Sequence, residues 1–126
     1  MLKPGDIVVA VHLPPNAPAS TYMKVRQRGA VDFPLAGVAA ALSLKSGKVE
    51  SMRVATTGTN SKPILLAGTD KLCGRTVDDK LLQELDRLVQ KQVQPMRTTL
   101  ISSNYRRLAA AALAKRAVEK LAAAQA

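Results

Sequence analysis

Leu35-Ala36-Gly37-Val38-Ala39-Ala40-Ala41-Leu42-Ser43-Leu44 is a run without a charge, and whether it is helix or strand decides the fold. Its alanines favour helix, while the absence of a polar face suits a covered strand equally well. The residues immediately C-terminal to it break the tie. Lys45-Ser46-Gly47-Lys48 has the composition of a tight hairpin turn, and from Val49 to Thr57 the residues Glu50, Met52 and Val54 alternate with Ser51, Arg53 and Ala55 at the period of a strand. Leu35 to Leu44 is therefore expected to be a central strand.

Just upstream lies the sharpest electrostatic signal. If Tyr22-Met23-Lys24-Val25-Arg26-Gln27-Arg28 is extended, Tyr22, Lys24, Arg26 and Arg28 share one face and Met23, Val25 and Gln27 the other. Same-face neighbours about 7 Å apart repel by roughly 0.6 kcal/mol in water, and by about 2 kcal/mol at the intermediate dielectric of a partly covered surface. Folding alone gives no reason to accept that cost. Either the cationic heads fan into solvent, or they meet an anion: Asp32, or a ligand or partner carrying phosphate or carboxylate. Gly29-Ala30-Val31-Asp32-Phe33-Pro34 then breaks the strand.

The chain of 126 residues is expected to be a single domain, residues 1–126, large enough to bury a core without disulfides. Its one cysteine, Cys73, reads as an inert small hydrophobe, and a chain of this size without a disulfide framework reads as intracellular. One histidine, His12, and one cysteine cannot make a protein zinc site or a nucleophilic triad. With no run of eighteen apolar residues and no signal-peptide core at Met1 to Asp6, a soluble cytoplasmic protein without a membrane partner is expected. The net charge of +10 makes an acidic partner plausible, yet an aromatic content of 2% argues against the stacking grip on single-stranded nucleic acid.

Taken in order, Asp6 to Leu13 is expected to be a mostly buried strand, since Ile7, Val8, Val9 and Val11 are β-branched and prolines bound the segment. Pro14 to Ser20 reads as a surface loop, from which the basic strand returns antiparallel. Thr56 to Pro63 is a polar loop whose single glycine is too little for a phosphate cradle. Ile64 to Leu72 suits a short helix ending at Gly74. Thr76 offers an N-cap to a helix whose apolar face carries Val77, Leu81, Leu85, Leu88 and Val89 and which ends before Pro95. A last helix from Ser102 to about Ala123 is expected to bury Tyr105, Leu108, Ala112, Leu113, Ala117 and Leu121, with Arg106, Arg107, Lys115, Arg116 and Lys120 off that stripe.

The order of these elements carries a resemblance. Pro4-Gly5-Asp6-Ile7, Tyr22-Met23-Lys24-Val25-Arg26-Gln27-Arg28, Asp32-Phe33-Pro34-Leu35-Ala36-Gly37-Val38-Ala39, Leu72-Cys73-Gly74-Arg75, and Pro95 followed by Ser103-Asn104-Tyr105-Arg106-Arg107 resemble the C-terminal domain of the FAD-binding medium subunit of molybdenum hydroxylases. That family includes carbon monoxide dehydrogenase, xanthine dehydrogenase and 4-hydroxybenzoyl-CoA reductase. The resemblance implies an α+β fold, a small antiparallel β-sheet of about four strands packed on one side by about three helices. It implies an oxidoreductase flavoprotein in an electron-transfer complex, with molybdopterin and iron–sulfur clusters on partner subunits. It also implies that Lys24 lies beside the flavin and that Val8 packs near it, while Arg26 and Arg28 stay interface or ion-pair candidates. The family's upstream FAD-binding domain has no counterpart in this sequence. The chain is therefore expected to line one wall of the FAD site, to retain little FAD alone and to be inactive in isolation. The alternatives are a basic nucleic-acid-binding module and a self-associating one.

Overall fold

Ser46 and Gly47 both take positive φ, 52° and 72°, as a two-residue hairpin turn requires when its twist must match the strands on either side. In this computed structural model, which describes residues 2–29, 32–98 and 100–125, that turn joins β2 (Ala36–Lys45) to β3 (Lys48–Thr57). The uncharged run is thus the central strand its neighbour implied. β1 (Ala19–Val25) pairs antiparallel with β2, and β4 (Ile64–Leu65) pairs antiparallel with β3, giving a sheet in the order β1-β2-β3-β4.

The alternation of strand side chains divides this sheet into two unlike faces. Ala36, Val38, Ala40 and Leu42 of β2 are buried together with Met52, Val54 and Thr56 of β3. Against that inner face packs α2 (Ser103–Ala123), which also meets β1 and α1 (Asp79–Gln92). Leu81, Leu82, Leu85 and Val89 of α1 complete the same core, with Val77 and Leu88 at its margin, as their helical spacing anticipated. Among the described residues the sheet is covered on one side, by two α-helices and a single 3₁₀ turn (Thr69–Leu72), against an expectation of about three helices.

Several expectations are corrected. Asp6 to Leu13 is neither strand nor buried: it has no regular secondary structure, Ile7, Val9, Val11 and Leu13 are each at least 78% exposed, and the first strand of the sheet is β1. Its sequence meets the local requirement for a strand, but a strand also needs a neighbour to satisfy its backbone. Ile64 to Leu72 is a two-residue strand and a 3₁₀ turn, because Gly68, at φ 85°, separates the segment that pairs with β3 from the one that turns away. α1 is capped by Asp78, whose Oδ1 accepts from the Leu81 amide at 2.8 Å, rather than by Thr76. A carboxylate at the positive helix end caps with charge as well as geometry. Cys73 is exposed and belongs to no core.

The buried face of α2 differs most. Ala110, Ala111, Ala114, Ala117, Val118 and Leu121 are buried, whereas Tyr105 and Leu108 are half exposed and Ala112 is only partly covered. Large side chains suggested the stripe, but close approach of helix to sheet selects alanine. The same face buries Arg106, only 9% exposed. Its Nε donates to the Leu35 carbonyl at 2.9 Å and one terminal nitrogen to the Met96 carbonyl at 2.6 Å; the other donates to the Gly58 carbonyl. One guanidinium thereby joins the entry to β2, the exit from β3 and the approach to α2. Gly58 itself, at φ 73°, admits no Cβ, which would lie 2.8 Å from the Pro34 carbonyl oxygen.

Between β1 and β2 the chain is held by Asp32, whose Oδ2 accepts from the Arg28 amide at 3.0 Å and lies 3.7 Å from the Arg28 Nε. The break expected at Gly29 to Pro34 includes Ala30 and Val31, which lie outside the described residues. The Arg28 backbone N–H, and secondarily the guanidinium charge, hold the Asp32 carboxyl below the usual carboxylate range against an opposing desolvation.

Two outcomes are expected. Arg106→Met leaves three carbonyls without their donor and should destabilise the domain by about 3 kcal/mol, with Arg106→Lys recovering only part, measured by denaturant unfolding. Because the folded pKa of Asp32 is lowered, its contribution is present above the unfolded value of about 3.9 and is lost as pH falls through the folded one. Carboxyl NMR should place that midpoint below the ordinary value, and Arg28→Ala should raise it only part of the way, since the main-chain donor survives.

Candidate functional site: the uncovered face of the sheet

The outer face of the sheet is built from small residues. Lys24 of β1 stands opposite Gly37 of β2, and Tyr22 opposite Ala39; Ala39 in turn faces Ala55, and Ala55 faces Leu65. Glycine and alanine keep this surface flat, since no branched chain rises from its middle. A shallow depression of about 180 Å³ lies there, lined by Ser20, Ala39, Ala41, Arg53, Ala55 and Leu65.

Gly37 marks the point of closest approach. A Cβ there would sit 2.4 Å from the Tyr22 hydroxyl and 2.6 Å from Thr57 Oγ1, so the phenol lies across the bare backbone and its tip comes near the threonine. The Lys24 residue, opposite that glycine, is exposed. Lys24, the Tyr22 phenol and the Thr57 hydroxyl thus gather around Gly37, which is buried beneath the phenol, two of them brought there by the period of β1 and the third by the β2–β3 register. A planar, hydrogen-bonding group can lie over Ala39, Ala41 and Ala55, with Thr57 and Leu65 as the branched side chains at the border.

The cationic row expected on one strand is divided. β1 ends at Val25, so Tyr22 and Lys24 share its outer face while Arg26 and Arg28 lie in the following loop, where Arg28 meets Asp32. The like-charge repulsion that an unbroken strand would have imposed is relieved by ending the strand and supplying the acidic neighbour. Val8 is in the arm before β1, 58% exposed, and among the described residues the hydrogen bonds of residues 2–18 run only within that segment. The structure therefore shows no bond linking Val8 to the patch around Lys24. Tyr22 and Gly37 were not singled out as site residues from sequence. The signal was present in the alternation Gly37, Ala39, Ala41, which leaves one face of a central strand without bulk.

A groove of about 390 Å³ lies on another side, between the end of β1 and α2, lined by Val25, Tyr105, Leu108, Ala112, Leu113 and Arg116. These are largely the residues whose helical spacing suggested burial. Its charge is a single arginine and it gathers no group of reactive side chains.

Comparison with known proteins agrees with the architecture. The family model for the CO dehydrogenase flavoprotein C-terminal domain matches residues 20–121. The glyceraldehyde dehydrogenase medium chain of Sulfolobus acidocaldarius is 29% identical over 119 residues, 94% of this chain and 42% of that protein. Reconstituted CO dehydrogenase from Oligotropha carboxidovorans superposes with a TM-score of 0.80 at 24% identity, over 88% of this chain and 39% of that one. Quinoline 2-oxidoreductase from Pseudomonas putida 86 does so with a TM-score of 0.77 at 22% identity, over 83% of this chain and 37% of that one. These structural likenesses speak for the fold, and the chain spans about two fifths of the proteins it matches. The two-faced sheet, its helical cover and the match from residue 20 to 121 together place the chain in the CO dehydrogenase flavoprotein C-terminal domain family, a family of domains from oxidoreductase flavoproteins.

Proposed function

We propose that this domain packs on the FAD-binding domain of a molybdenum hydroxylase medium subunit and lines one side of its FAD site, with Lys24 as the residue that meets the flavin. The observation that carries this reading is the exposed Lys24 on an uncovered, small-residue sheet face in a domain of a flavoprotein family. An outer face of Ala39, Ala41 and Ala55 fits a flat ring system, and the Tyr22 hydroxyl, lying over Gly37, adds a hydrogen-bonding group at its border. FAD, when bound, supplies the redox chemistry. The chain's own residues position and polarise: the Lys24 ammonium is a fixed positive charge, which favours the added negative charge of a reduced ring over the neutral oxidised one. Val8 is assigned to the same wall through the arm, reaching it once the arm has a partner surface.

In the complete enzyme the domain would serve electron transfer among FAD, iron–sulfur clusters and a molybdopterin subunit, in the cytoplasm. The relatives named as CO dehydrogenase, quinoline 2-oxidoreductase and glyceraldehyde dehydrogenase medium chain support that setting. No helix among the described residues is long and apolar enough to cross a membrane.

When the domain is combined with its FAD-binding domain, Lys24→Ala should lower flavin retention about tenfold, the loss of one charge-assisted hydrogen bond. It should also lower the two-electron potential by about 30 mV, which corresponds to about 1.4 kcal/mol. Lys24→Arg should recover part of both. Equal retention and an unchanged potential in a folded Lys24→Ala protein would remove the assigned role. A second variant tests the surface: Gly37→Ala must displace both the Tyr22 phenol and the Thr57 side chain, so it should cost about 1–3 kcal/mol in unfolding, and flavin retention should fall in the protein that remains folded.

A further inference from the structure

A second cavity of about 390 Å³ opens where β3 ends, walled by Gly58 to Ser61 of the loop that follows and by Gln94, Met96 and Arg106 from the stretch leading into α2. Unlike the groove beside Tyr105, it gathers polar groups. Arg106 is the buried one, only 9% exposed. Two of the carbonyls it serves belong to Gly58 and Met96, which line the same cavity, so its guanidinium head lies there. Bonds to carbonyls satisfy donors but leave the charge whole, and a buried charge without a counter-charge is costly. A guanidinium has five N–H groups, and three of these are committed to carbonyls, leaving two among the described residues.

Asn60 contributes further donors. Its Oδ1 accepts from the Thr59 hydroxyl at 3.0 Å and from the Gln94 amide at 3.3 Å. A main-chain N–H can only donate, so the oxygen of Asn60 is fixed toward Gln94 and its NH2 group is turned the other way. Ser61 adds an exposed hydroxyl. Negative charge is missing from the whole neighbourhood. No Asp or Glu occurs from Ser51 to Thr69 or from Arg87 to Val118, the two stretches that supply the wall, while Lys62, Arg97 and Arg107 adjoin its residues. The third carbonyl partner, Leu35, follows Asp32 by three positions, and that carboxylate is engaged by Arg28. The first turn of α2, to which Arg106 belongs, adds the positive end of a helix.

We propose that this cavity binds a phosphate group, free or at the end of a phosphate monoester, with Arg106 supplying the charge and Asn60 and Ser61 the remaining donors. Three donor groups suit the three free oxygens of a tetrahedral oxyanion better than the two of a flat carboxylate. The cavity is roomier than one phosphate group, which leaves space for the organic part of an ester. None of its residues lines the depression on the outer face of the sheet, so the site stands apart from the one proposed for flavin.

The test is nitrogen–proton correlation NMR on the full chain, titrated with inorganic phosphate at constant ionic strength. The amides of Thr59, Asn60 and Ser61, the Asn60 NH2 and the Arg106 Nε–H should shift together and saturate, with a midpoint on the order of 1 mM. Asn60→Asp keeps the acceptor for Thr59 and Gln94 but sets a carboxylate beside Arg106. It should weaken phosphate binding about tenfold or more and leave Tm in phosphate-free buffer unchanged or higher, since it supplies the missing counter-charge. Gln94→Glu, on the exposed rim, should weaken binding in the same direction and carries the charge test should Asn60→Asp fail to fold. A tighter midpoint for adenosine monophosphate than for phosphate would support the proposal with an ester as ligand; equal midpoints would support it with the free ion. Shifts that never saturate, that spread over the basic surface, or that persist unchanged in both variants would overturn it. Acetate producing the same saturable shifts at the same concentrations would overturn it in favour of a carboxylate receptor. Lys24→Ala should leave phosphate binding unchanged, so the flavin assignment and this site stand or fall separately.

Discussion

Close contact between an alanine face of α2 and the inner face of β2 sets the geometry of this domain. Ala110, Ala111, Ala114 and Ala117 are wholly buried against a sheet that offers Ala36, Val38, Ala40 and Leu42. Neither surface carries a long side chain at its centre, so the helix lies close to the sheet and little room remains for adjustment. Arg106 then fixes the helix at one end. Its three carbonyl partners come from separate connections, so the N-terminal turn of α2 is tied to both loops that frame β2 and β3. Among the described residues this buried guanidinium has no acidic partner and is satisfied by carbonyls, which depends on all three acceptors being held in place. At the far end, Gln125 accepts from the Leu44 amide and donates to the Leu42 carbonyl, closing the edge of β2 beyond the reach of β1.

That one-sided packing has a direct consequence for the opposite face. With the helices committed to Val38, Leu42, Met52 and Val54, the residues between them point away from the core. Ala39, Ala41 and Ala55 are small where an ordinary solvent face would carry long polar chains, and Lys24 and Tyr22 stand at the margin. A domain stable through a single layer of helices can leave this second face for another body. The arm repeats the pattern: apolar surface that the fold itself does not use, in a chain that spans about two fifths of the proteins it resembles.

Local sequence determined much of the scaffold. Ser46-Gly47 specified a hairpin, the alternation after Val49 specified its second strand, and the spacing of Leu81, Leu85 and Val89 specified the face of α1. Each of these signals is complete within a few residues, because turn geometry and side-chain periodicity depend on near neighbours. The resemblance read from the order of motifs supplied the fold class and pointed to Lys24. Only tertiary structure decided the rest. Ile7 to Leu13 has the local properties of a strand and is not one, because no described strand pairs with it. Tyr105 and Leu108 outweigh alanine in any reckoning of hydrophobicity, yet the close fit of helix to sheet buries alanine. Arg106 looks like its neighbour Arg107 until Leu35, Gly58 and Met96 converge on it, residues 71, 48 and 10 positions away, and no short-range pattern can encode three carbonyls brought together by folding.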